Sequence, residues 1–314
     1  MKKTLLTICL VWMCFSLSAQ KIIDLSGKWS FSIDRQDNGE KEKWFSHTLN
    51  DFINLPGSMP EKLKGDEVTA KTQWTGSLYD SSYYYNPYME KYRKEGNIKF
   101  PFFLTPDKHY VGAAWYQKEV NIPADWKGER ILLFLERPHI ETTVWVNGQK
   151  TGMQNSLCVP HQYDITRYVR PGKCTITIRV DNRIKEINVG PDSHSITDQT
   201  QGNWNGIVGR ICLQTTPKTY FDDIQIYPEP EQKLARVKVV IKGTGTAKVK
   251  LSAESFNTDK KHIVPAIQQE IKLNKGVTET EMVLPMGNDM LLWDEFHPAL
   301  YLSLIHISEP TRRS

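Results

Sequence analysis

Residues 192–213 read DSHSITDQTQGNWNGIVGRICL: hydroxyl, carboxyl and carboxamide side chains gathered around one indole, with a strand-like run following from Ile207. That combination suits a sugar. A pyranose offers a C–H face that stacks on an aromatic ring, and hydroxyls that each want a donor and an acceptor. Composition alone equally suits a polar loop in which Trp204 merely caps a β-sandwich. Nothing else assembles a complete catalytic set. The eight His are scattered singly, so His139, His161 and His194 read as polar edge residues, and no His/Cys spacing matches a metal site. There is no Gly-x-Ser-x-Gly turn for a serine nucleophile, and GTGTAK at 243–248 lies between two strand patterns, so it reads as a hairpin turn and not a phosphate loop. A carboxylate pair for glycoside hydrolysis must converge in space, which one dimension does not show, and Asp222-Asp223 reads as the start of a strand. No cofactor is implied.

The elements that must position such a loop are strands. Nine Trp, thirteen Tyr and eleven Phe, with Val, Ile and Thr runs broken by Gly, Pro, Asn and Asp, point to an all-β chain. LSGKWSFSID at 25–34 alternates, with Leu25, Trp29, Phe31 and Ile33 largely on one face. AAWYQKEVNIP and RILLFLE continue the pattern, and TTVWVNGQKTG predicts a hairpin turning at Asn147-Gly148, where a tight turn needs positive φ. Further on, Ile176, Ile178 and Val180 should face inward, with Thr175, Thr177 and Arg179 outward. Strands spaced roughly 8–12 residues apart with turn chemistry between them argue for a β-sandwich. From 55 to 110 the period loosens into a long surface excursion, Tyr-rich between Tyr79 and Tyr92, with a short helical piece near 87–94. A boundary falls near 216–230, and the shorter alternating strands beyond it fit a small immunoglobulin-like sandwich.

With 314 residues, 39% hydrophobic and 24% charged, the chain can build about two cores. Residues 1–19 read as a signal peptide: Met1-Lys2-Lys3, an apolar stretch too short to span a bilayer comfortably, then small residues at Ser18-Ala19. The expectation is an exported protein, periplasmic or secreted, with no membrane insertion. Without Lys2, Lys3, Glu309, Arg312 and Arg313 the chain lies within about one charge of neutral, which gives no electrostatic case for nucleic acid. Cys158, Cys174 and Cys212 read as core thiols, with a Cys158–Cys174 bridge left open.

Three segments carry a resemblance: WYQKEVNIPADWKGERILLFLERPHIETTVWVNGQKTG, PHQYDITRYVRPGKCTITIRVDN and NWNGIVGRICLQTTP. In order and spacing they resemble the N-terminal sugar-binding domain of glycoside hydrolase family 2, over about residues 22–222. LLWDEFHPALY looks like the last strand of that family's second domain, and the Tyr-rich excursion resembles exported enzymes of gut and soil Bacteroidetes. The resemblance implies a jelly-roll (galactose-binding-domain-like) β-sandwich over 20–222 and an immunoglobulin-like β-sandwich over 223–301. It also implies an (α/β)8 barrel, absent from this chain, with two catalytic glutamates for retaining hydrolysis. The activity implied is that of a β-galactosidase first and a β-glucuronidase second, on a carbohydrate β-glycoside, in an enzyme whose oligomeric state is left open. In the family, the loop before the Gly-Ile-x-x-Arg strand reaches the sugar. By position that loop is 198–205, which makes Asp198, Asn203, Trp204 and Asn205 the substrate-binding candidates, with the sugar contact made by Asn203 or Asp198 and Arg210 a structural ion-pair partner.

Residues 302–312, LSLIHISEPTR, resemble the translation of a transposase adapter used in preparing sequencing libraries, which marks 302–314 as foreign to the gene. The alternative is a genuine final strand, since Leu302, Leu304, Ile305 and Ile307 are apolar. On the adapter reading the fragment alone has no hydrolytic activity. The competing class is a non-catalytic carbohydrate-binding module.

Overall fold

The computed structural model describes residues 21–75, 81–100, 104–185, 198 and 202–308. Residues 1–20, which hold the expected signal peptide, His194 and residues 309–314 lie outside them. Strands dominate, and the chain divides into two compact units between Thr215 and Thr216.

Thirteen strands build the first unit: β1 (Ile22–Asp24), β2 (Gly27–Asp34), β3 (Asp51–Leu55), β4 (Gly57–Ser58), β5 (Asp66–Glu67), β6 (Lys108–His109), β7 (Ala113–Ile122), β8 (Arg130–Pro138), β9 (Glu141–Val146), β10 (Gln149–Asn155), β11 (His161–Asp164), β12 (Gly172–Asp181) and β13 (Gly206–Thr216). One sheet runs β1-β13-β8-β11 with β4 on β13; the other runs β10-β9-β12-β7-β2-β3. Period-two alternation places Ile176, Ile178 and Val180 of β12 in one core with Tyr116 of β7, Leu133 and Leu135 of β8, and Ile207 and Leu213 of β13. The β9–β10 hairpin turns at Asn147 (φ 49°) and Gly148 (φ 77°), as the Asn-Gly pair requires.

The opposite face of β12 departs from expectation. Thr177 and Arg179 point away from the sandwich core yet are buried, because Trp44, Phe45 and Leu49 lie over Trp115 and Trp145 on that side of the sheet. Phe45 stacks on Trp145 with ring centroids 5.2 Å apart. Under this cover Arg179 meets Asp37 (2.6 Å), Asp181 (2.9 Å) and Glu141 (3.3 Å). Cys158 is also misplaced by the sequence reading. It is exposed while Cys174 and Cys212 are buried, and all three are free thiols, so no Cys158–Cys174 bridge forms.

The second unit is a sandwich of β14 (Tyr220–Glu229), β15 (Leu234–Phe256), β16 (Ile263–Pro285) and β17 (Leu300–Ser308). All of β14 belongs here, through its pairing with β15, so the boundary lies ahead of 222/223. Gly243 and Gly245 do not make a hairpin: β15 runs through them with a bulge against β16, and the two long strands bend together. β15 and β16 thereby contribute Val239, Ile241, Val249 and Leu251, and Leu273 and Leu284, to one core. Leu300–Ser308 lies along β15, Ile305 opposite Leu251 and Ile307 opposite Val249. The alternation of Tyr301, Ile305 and Ile307 toward the core is what brings this segment onto the sheet, while Leu300, Leu302 and Leu304 face outward and are exposed.

Candidate functional site

The polar stretch ahead of β13 is tied into the first sandwich by buried side-chain amides. Asn205 is fully buried; its Nδ2 donates to the Gly112 carbonyl (2.8 Å) and the Val180 carbonyl (3.0 Å), and its Oδ1 accepts from the Tyr116 hydroxyl (2.7 Å). It therefore joins the start of β7, the end of β12 and the start of β13 with every polar atom of its side chain used. Asn203 is used as completely. Its Nδ2 donates to Thr75 Oγ1 (2.9 Å) and the Asn182 carbonyl (2.9 Å), and its Oδ1 accepts from Asn182 Nδ2 (3.0 Å). Asn182 also holds Gly112 N through its Oδ1 and the Tyr110 carbonyl through its Nδ2.

Asp198 is the acceptor counterpart. Its carboxylate takes the backbone N–H groups of Asn203 (2.5 Å) and Thr75 (2.7 Å), with His109 Nε2 at 3.4 Å, while its own N–H donates to the Thr75 carbonyl. Asp198 and Asn203, the two alternatives for a sugar contact, are brought together, but both point into the domain. Trp204 is partly exposed and stacks on His139, centroids 4.4 Å apart and rings 27° from parallel. At Gly206 (φ 147°) a Cβ would lie 2.5 Å from the Gly57 carbonyl oxygen, so only glycine lets β13 run this close to β4. Arg210 is exposed and pairs with Glu136 (3.3 Å), the ion-pair role expected of it.

His139 and His161 are not edge residues: both are buried, His139 behind the loop and His161 beside Thr142 and Tyr163. Burial pushes the His139 imidazole down to about 4, only partly offset by Asn203 and the Asp198 carboxylate. Its neutral form is the folded one, so its contribution to stability is fully present above the ordinary histidine value near 6.5 and is lost as pH falls toward 4. That shift corresponds to roughly 3 kcal/mol. We expect urea unfolding of the native chain to show this acid-side loss and His139→Phe, which keeps a ring on Trp204, to flatten it; equal slopes would contradict the assignment.

Sequence reasoning missed Asn182, Thr75, His109 and Tyr116. Only Asn182 carries a local signal, an Asp-Asn pair closing a strand. The others lie 89 to 128 residues from their partners in the loop. Among the described residues no three His, Cys, Asp or Glu side chains converge as metal ligands would.

The arrangement fixes Asp198, Asn203 and Asn205 from inside and leaves Trp204 part-exposed, stacked on His139. Residues 22–217 match the family described as "Glycosyl hydrolases family 2, sugar binding domain", and residues 219–309 match "Glycosyl hydrolases family 2". Human β-glucuronidase is 24% identical over 266 residues, 76% of this chain and 35% of that protein. A β-galactosidase of Clostridium acetobutylicum is 24% identical over 293 residues, 91% of this chain and 29% of that protein. The solved β-glucuronidase of an uncultured Clostridium sp. superposes with a TM-score of 0.58 at 20% identity, covering 93% of this chain and 43% of that one, a likeness of fold. The chain thus spans about a third of the length of the curated relatives it matches. With two consecutive modules matched along nearly its whole described length, the chain belongs to glycoside hydrolase family 2.

Proposed function

We propose that this chain is the N-terminal part of an exported, retaining β-glycosidase that hydrolyses O-glycosyl bonds in carbohydrate breakdown. The observation that carries the reading is the pair of family 2 modules in order, with Asp198, Asn203 and Asn205 tied into the first module ahead of β13. Between the two substrates expected, β-galactosides and β-glucuronides, the names of the relatives favour the second. On this reading the two catalytic glutamates, one nucleophile and one acid/base, lie on a barrel outside the chain, and the loop's part is to shape the sugar subsite. Its amides act by holding the backbone, while Trp204 supplies the ring that a pyranose can meet.

The test has two parts. The purified chain should not turn over aryl β-glucuronide or β-galactoside, and turnover sensitive to Trp204→Ala would overturn the expected inactivity. The gene should then be read beyond the codon for Tyr301. A frame continuing into a barrel supports both the enzyme reading and the adapter origin of residues 302–314; a stop codon there favours a carbohydrate-binding module.

A further inference from the structure

Between β16 and β17 of the second sandwich, residues 291–299 fold into a compact loop beside the turn at 257–260 that joins β15 to β16. Asp294 fixes this loop from within. Its Oδ1 accepts the N–H groups of Phe296 (2.8 Å) and His297 (2.7 Å), and its own N–H donates to the His297 carbonyl (3.1 Å). Trp293 pairs with Pro298 in a short antiparallel bridge, and the Leu291 N–H donates to the Tyr301 hydroxyl (2.9 Å). Asn257 Nδ2 ties the turn to the loop through the Pro298 carbonyl (2.9 Å). The loop is ordered before anything meets it, so association through it loses little conformational entropy.

What this rigid loop presents is apolar. Phe296 is 81% exposed, Trp293 61% and Leu292 59%. Three such side chains expose on the order of 300–400 Å², the size at which an apolar patch marks an interaction surface. Beside them, between loop and turn, lies a groove of ≈ 800 Å³ lined by half-buried Leu291 and buried Ala299. Its wall carries both signs of charge, Asp259 and Lys260 on the turn and Asp294 on the loop. Lys261 is occupied by Glu254 (3.0 Å), whereas the Lys260 ammonium forms no ion pair among the described residues. A projecting ring, a groove next to it and opposite charges on one patch make that patch complementary to itself. Self-complementarity is the requirement of a two-fold contact, in which whatever one copy inserts the other receives.

We propose that the chain forms a two-fold dimer through this loop, with Phe296 of each copy in the groove of the other and Lys260 of each copy facing the other's Asp294. The inference goes beyond the proposed activity and does not depend on it. Two patches of this size lie at the low end of specific interfaces, which corresponds to a Kd of about 10 µM. Sedimentation velocity of the full chain from about 1 to about 100 µM should therefore pass from monomer to dimer. Phe296→Asp, at an exposed position, should leave the chain monomeric throughout with its thermal midpoint unchanged, and Lys260→Glu should weaken the dimer about tenfold. Leu304→Lys, on the exposed outward face of β17, should change nothing. A chain still monomeric at the highest concentration overturns the proposal, as does a dimer indifferent to both Phe296→Asp and Leu292→Lys. A dimer broken by Leu304→Lys alone moves the contact to the β17 edge and equally overturns it. So does protection of Trp293 from acrylamide quenching that arises only in a polypeptide extended beyond Tyr301, because the cover is then intramolecular. None of these outcomes bears on glycoside hydrolysis, which the full-length polypeptide tests separately.

Discussion

Asn205→Ala is expected to lower the unfolding free energy by about 3–5 kcal/mol, a large share of what a domain of this size has to lose. The substitution takes the Asn205 partner from the Gly112 and Val180 carbonyls and the Tyr116 hydroxyl, all on buried residues. Each abandoned buried polar group costs on the order of 1–3 kcal/mol, and the three are too close together to be rescued separately. Tyr116 has no escape by ionising, because burial already holds its phenol well above the ordinary value. Asn205→Asp should be at least as harmful, since a carboxylate would face two carbonyl oxygens. Urea unfolding at neutral pH measures both: the midpoint should fall with the slope unchanged. A loss under 1 kcal/mol for Asn205→Ala would show that the three strand ends do not depend on this amide.

The second large effect belongs to Asp181. It is fully buried and receives Arg179 (2.9 Å), Arg183 Nε (2.9 Å) and Lys185 (2.8 Å). These partners outweigh burial and hold its carboxyl far below the ordinary aspartate value. Asp181→Ala leaves the cations facing one another, with Arg179 buried, and breaking such a group typically costs about 3–5 kcal/mol. The acid dependence has a definite sign. A depressed carboxyl contributes stability that is complete above the unfolded value near 3.9 and is lost as pH falls below it toward the native value. Unfolding measured from pH 5 down to pH 2 should therefore fall steeply for the native chain and less steeply for Asp181→Asn. Parallel curves would place the acid sensitivity elsewhere.

What the sequence made legible follows from period and turn chemistry. The β9–β10 hairpin was readable because Asn147-Gly148 is nearly obligatory for its turn, and the inward set Ile176, Ile178 and Val180 because residues two apart share a face. The outward set failed for a reason that period cannot encode: a segment more than a hundred residues earlier, with Trp44 and Phe45, folds over Trp115 and Trp145 and buries what alternation assigns to solvent. The bulge at Gly243 and Gly245 failed because glycine pairs serve bent strands as well as turns. At the site, composition located the loop but not the direction of its side chains. Polar residues near a Trp look alike whether they face a ligand or the Thr75, Asn182 and Gly112 groups that in fact absorb them.

The position of β14 also decides how the gene can be divided. A coding sequence for the first sandwich that stops after Asp222, where alternation and turn residues suggest, would carry Phe221 away from Ile241, its partner in the second unit. It would end in the first three residues of β14, Tyr220, Phe221 and Asp222, with their ladder groups open to another sheet edge. Stopping translation at Thr216 leaves β13 complete and nothing dangling.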